Sequence, residues 1–107
     1  MNTVLARFKI LPGKETQAEE AMKTQAASVE SGEPGALAYI FHRNSKDPSE
    51  ITVFEIYADD DASNAHRGTE HMTKFASYFG SLFDPASVKI ERLERIAGFN
   101  RSASDAS

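Results

Sequence analysis

Apolar and polar residues alternate from the first residues of the chain. In "TVLARFKIL" (3–11), Val4, Ala6, Phe8 and Ile10 fall on one side and Leu5, Arg7 and Lys9 on the other. A period of two predicts a strand with one packed face. "PGK" then breaks it. From Glu15 to Ser31 the period lengthens: Ala18, Met22, Gln25 or Ala26, and Val29 recur at three- and four-residue spacing. That predicts a helix with a modest apolar stripe, ended by Gly32 and turned by "EPG". "ALAYIFHR" (36–43) and "ITVFEIY" (51–57) read as two strands, and the polar "NSKDPSE" between them predicts a hairpin. "ADDDASNAHRG" opens on acids, which favour a helix N-terminus, and predicts a short helix ending at Gly68. Thr69 can cap a second helix, whose stripe is Met72, Phe75, Ala76, Phe79 and Phe83, with "DP" at 84–85 as its end. "SVKIERLERI" (87–96) reads as the last strand, and the shift in its alternation near Leu93 predicts a bulge.

The order β-α-β-β-α-β is that of an α+β, ferredoxin-like domain: an antiparallel four-stranded sheet with helices on one face. Residues 1–98 are expected to form the domain and 99–107 a polar tail, with Phe99 free to dock. Sorted by bulk, Leu37, Tyr39, Phe41, Phe54 and Ile56 should meet the helices. Ala38, Ile40, His42, Val53, Glu55 and Tyr57 should then lie on the bare face, which would carry a carboxylate, an imidazole and a phenol on a semi-apolar surface. Such a surface marks a partner or a ligand site. Two sheets paired face to face would give a dimeric α/β barrel with a pocket between each sheet and its helices. A shift of one residue would exchange the two faces of a strand.

With 107 residues the chain has room for one domain and a thin core. Its 40% hydrophobic and 26% charged residues are ordinary for a globular domain. The net charge of −4, with both signs interspersed, supplies no basic patch for nucleic acid. No apolar run approaches the roughly 20 residues that cross a bilayer. The start "MNTVLARFKI" does not have the form of a secretory signal, so the cytoplasm is the expected location. Without cysteine, disulfides and thiolate chemistry are excluded.

Three segments, "FKILPGKE", "EPGALAYIFHRNSKDPSEITVFEIYADDDASNAH" and "TEHMTKF", in this order and spacing, resemble the antibiotic biosynthesis monooxygenase (ABM) domain family in its short, quinol-monooxygenase-like branch. The likeness runs over roughly residues 3 to 96. It implies a dimeric α+β barrel that oxidises a small electron-rich aromatic or quinol with molecular oxygen and without flavin, haem or metal. Deprotonating a phenol yields an anion able to pass an electron to oxygen. The protein then supplies a base, a desolvated pocket and donors to the anion. The haem-degrading branch uses a pocket tryptophan, which this chain lacks, and a first-strand asparagine where Arg7 or Phe8 stands. A non-catalytic, small-molecule-binding barrel and an isomerase or lyase on a small metabolite are the alternative readings.

The candidate catalytic residues are His71 and Glu55. The resemblance places His71 at the start of the main second helix, where it is either a base or hydrogen-bond donor to substrate, or a packing residue. Glu55, in the middle of an apolar strand, must be paired or useful; Arg7 or an arginine from a second subunit could pair with it. His42, Tyr57, Val53, Arg7 and Phe75 are the candidate substrate-binding residues. His66, near a helix end, reads as structural. His66 and His71 do not have the i, i+4 spacing of a zinc helix, and no neighbouring carboxylate motif completes a site, so no metal is expected.

Overall fold

In the computed structural model, which describes residues 1–101, the alternation of the first strand holds. Val4, Ala6, Phe8 and Ile10 of β1 (Asn2–Ile10) are all buried against helices. Among the described residues the chain continues as α1 (Glu15–Gly32), β2 (Ala36–Arg43), β3 (Glu50–Tyr57), α2 (Asp60–Arg67), α3 (Glu70–Leu82) and β4 (Phe83–Leu93). The sheet is antiparallel, in the order β2-β3-β1-β4. This is the expected ferredoxin-like arrangement, with its second helical stretch in two pieces. Each piece has the cap its sequence offers: Asp59 accepts from the Ala62 N–H at 2.8 Å, and Thr69 from the Met72 N–H at 3.3 Å.

The core lies between sheet and helices. Ala6, Phe8, Ile10, Ile51 and Val53 of the sheet meet Ala18 and Met22 of α1, Phe75 of α3 and Phe83. Helical spacing puts Phe83 in the stripe of α3. It instead opens β4, with no exposed surface, its ring stacked at 4.8 Å on Phe79 and edge-on at 4.9 Å to Phe8. Burial of a phenylalanine contributes roughly 1.5–3 kcal/mol. The irregularity of β4 lies earlier than Leu93. Its pairing with β1 breaks between Asp84 and Lys89, where Pro85 has no N–H to give. There the Ser87 hydroxyl accepts from the Lys9 N–H at 2.8 Å.

The faces of β3 are the reverse of those expected. Val53, Glu55 and Tyr57 point to the helices, and Phe54 and Ile56 to the outer face. Phe54 and Val53 are both apolar enough to be buried, so bulk alone could not choose between them. Register decides: Val53 pairs with Ala6, and Phe54 with Leu5. In β2, Tyr39 and Phe41 face the helices as expected, but Leu37 sits at a break in the pairing between Ala36 and Ala38 and is 53% exposed. Among the described residues of the tail, Phe99 docks on nothing; the Arg101 guanidinium lies over its ring at 4.8 Å. The remainder of the tail lies outside the described residues. Among the described residues no helix is long and apolar enough to cross a membrane.

Candidate functional site

Between the sheet and helices α2 and α3 lies a pocket of about 470 Å³. Its walls are apolar: Phe8, Phe41, Val53, Phe75, Phe79 and Met72. It opens along β4, where Ile90 is 65% exposed, and Arg67 and Arg92 border it. One end is polar. Glu55 and Tyr57, two apart on β3, share a face, and the Tyr57 hydroxyl donates to the Glu55 carboxylate. His66, buried in the last turn of α2, lies between two phenols, with ring centroids 5.3 Å from Tyr39 and 5.2 Å from Tyr57. Its Nε2 is 3.9 Å from Glu55 Oε1.

Burial pushes the Glu55 carboxyl above the usual carboxylate range, and the nearby Glu33 charge adds to this; the Tyr57 hydrogen bond and His66 act against it. Burial also pushes both tyrosines up, Tyr57 further than Tyr39, because the Glu55 carboxylate accepts its proton. The pocket therefore holds neutral phenols beside a carboxylate that takes up a proton more readily than an exposed one.

Behind His66 the network continues away from the pocket. His66 Nδ1–H donates to Glu33 at 2.8 and 3.0 Å, and His71 Nε2–H donates to the same carboxylate. Glu33 caps the C-terminal end of α1, its own N–H bonded to the Val29 carbonyl at 2.9 Å. The His71 ring packs beside Gly32, where an added Cβ would be in ordinary contact with its Cε1 at 3.7 Å. The two imidazoles and the carboxylate are donor types that could hold a divalent cation, and their ligand atoms lie within 4.8 Å of one another. The expectation that no carboxylate joins the histidines rests on spacing along the chain. Glu33 stands 33 residues before His66 and 38 before His71, so only the fold brings it there.

A family model described as antibiotic biosynthesis monooxygenase matches residues 1–78, spanning the pocket's β1, β2, β3 and α2 and most of α3. The chain belongs to the ABM family. Its fold matches a solved structure from Pseudomonas aeruginosa at 29% identity and a TM-score of 0.80, over 90% of this chain and 94% of that one. It also matches a Caulobacter crescentus structure described as an antibiotic biosynthesis monooxygenase, at 29% identity and a TM-score of 0.83, over 90% of each chain. A Bacteroides thetaiotaomicron structure shares the fold with a TM-score of 0.84 at 22% identity, over 94% of this chain and 95% of that one. No curated protein matches.

On this ABM domain the sequence-derived site residues separate into two groups. Glu55, Tyr57, Val53 and Phe75 meet in the pocket. Val53, Glu55 and Tyr57 reach it from the helix face rather than the bare face, because of the register of β3 on β1. His42 is exposed near the end of β2, its ring 3.2 Å from the Thr52 carbonyl, outside this pocket. Arg7 is on the outer face of β1 and pairs with Glu91 at 2.5 Å, so it cannot reach Glu55 through the sheet. His71 touches the pocket only through Glu33 and His66. Sequence reasoning gives His66 a structural role and reads Glu33 as part of a turn. The signal for His66 is its position three residues after Ser63, on the buried side of a short helix. Nothing local marks Glu33.

Proposed function

We propose that this ABM chain is a monooxygenase that oxidises a small electron-rich aromatic, of the hydroquinone type, with molecular oxygen. The observation that carries the reading is the pocket itself: aromatic walls on an ABM fold, closed at one end by Glu55, Tyr57 and His66. An aromatic ring suits the walls, and its hydroxyl suits the polar end. Among the described residues Glu55 is the only carboxylate in the lining, and it takes the phenolic proton. Once Glu55 holds that proton, the Tyr57 hydroxyl is free to turn from it and donate to the resulting oxyanion between the apolar walls. The anion passes an electron to oxygen, and the pair recombines at a ring carbon. Loss of water then leaves the oxidised ring: hydroquinone plus dioxygen gives hydroxyquinone plus water. The substrate supplies every electron, so the reaction requires no flavin, haem or redox metal.

The test is oxygen uptake with a panel of hydroquinones. Uptake well above autoxidation is expected, and Glu55→Gln should lower it by roughly 10²–10⁴-fold. Uptake equal to the protein-free rate across the panel, or unchanged in Glu55→Gln, overturns the reading. Turnover without oxygen would assign the pocket to an isomerase or lyase instead.

We infer also that two copies pair through the outer sheet face. Leu5, Ile40, Phe54 and Leu93 share that face in register, and Ile40 and Leu93 are 48% and 42% exposed. A second copy would cover them.

A further inference from the structure

We propose that Glu33, His66 and His71 bind one divalent transition-metal ion behind the pocket. Three elements converge there: the C-terminal end of α1, the last turn of α2 and the first turn of α3. The backbone beneath the three side chains is set before any ion arrives. Glu33 is fixed by the α1 cap. The α2–α3 corner is fixed by the Thr69 hydroxyl, which donates to the His66 carbonyl at 2.8 Å and caps α3. Glu33 and His66 are 8% and 6% exposed, so the donors face one another rather than solvent.

The spacing is that of a ligand set. His66 Nδ1 is 2.8 Å from the carboxylate, and all three donor atoms lie within 4.8 Å of one another. Around an ion with bonds of about 2.1 Å, donors lie roughly 3–3.5 Å apart. Closing on an ion therefore needs side-chain adjustments on the order of 1 Å. The ion would replace the imidazole N–H protons that now hold the carboxylate.

Electrostatics favour a cation. The negative end of the α1 dipole and the Glu33 carboxylate meet at the site, and Glu55 adds a second carboxylate beyond the His66 ring, 3.9 Å from Nε2. A carboxylate hydrogen-bonded to the far nitrogen of a ligating imidazole is the usual outer support of a metal-bound histidine, and Glu55 would have to close from 3.9 Å to make that bond. Two imidazoles and one carboxylate suit zinc, cobalt or ferrous iron. Magnesium and calcium favour oxygen donors. Of the three ligands only His66 lines the pocket. The ion would thus fix His66 from behind without meeting the substrate, and the proposal stands whether or not the oxygen chemistry does.

The full chain, stripped with a chelator, is titrated with zinc chloride and with cobalt chloride by calorimetry and, for cobalt, visible absorption. One ion per chain is expected, with cobalt bands of a nitrogen–oxygen site and no comparable binding of magnesium. Glu33→Gln and His71→Gln should abolish saturable binding, and Glu55→Gln should weaken it about 10–100-fold. His42→Gln, on the surface, should leave it unchanged. Absence of saturable zinc and cobalt binding to the wild-type chain overturns the proposal without any variant needing to fold. So does wild-type affinity in folded Glu33→Gln or His71→Gln.

Discussion

Tyr57 and Glu55 depend on each other in a way neither would in water. The phenol is almost wholly buried, and its hydroxyl is directed at the carboxylate. Tyr57→Phe leaves the ring in place and removes only the donor. It should cost about 1–3 kcal/mol, because a buried acceptor loses its partner; urea denaturation of the two proteins measures it. Both residues stand out in the sequence because polar groups inside "ITVFEIY" need a reason to be there. Their side of the sheet does not, since Val53 and Phe54 offer comparable apolar bulk and only pairing with β1 distinguishes them. Glu33 is illegible for a different reason: a carboxylate before Pro-Gly reads as a turn residue, and its imidazole partners come from helices far along the chain.

The elements are easier to read than the residues, because period and caps are local. Asp59, Thr69 and the acids in the first turn of α2, Asp60 and Asp61, lie where helix starts require them. The exception is the end of α3, where Phe83 fits the helical stripe as well as it fits β4. Contacts between elements leave sharper consequences. A Cβ at Gly35 would stand 2.6 Å from Ala62 Cβ, so β2 approaches α2 only because that side chain is missing. Gly35→Ala should destabilise the fold by about 1–3 kcal/mol. Gly80, inside α3, would meet only Pro85 Cγ at 3.7 Å. Gly80→Ala should therefore stabilise by about 0.5–1 kcal/mol. Thermal unfolding of both variants tests the pair; equal shifts would show that the α2 contact carries no strain.

At the scale of the molecule, the order of strands and helices follows from the alternation of periods, whereas the pocket arises from register. The outer sheet face carries the remaining prediction. Light scattering at micromolar concentration should give the mass of two chains. Ile40→Asp with Leu93→Asp should give one, since neither charge could be buried against a second sheet without a partner. A wild-type chain that scatters as a monomer would leave that apolar face without an occupant.

The chain has three tyrosines and no tryptophan. Two of the three, Tyr39 and Tyr57, line the pocket, and the third, Tyr78, packs on Phe75 in its wall at 5.7 Å. The ultraviolet emission of this protein therefore originates at and beside this pocket. A compound entering the pocket would change that emission directly, so ligands could be screened by light alone, with no label or coupled assay, whatever reaction the pocket performs.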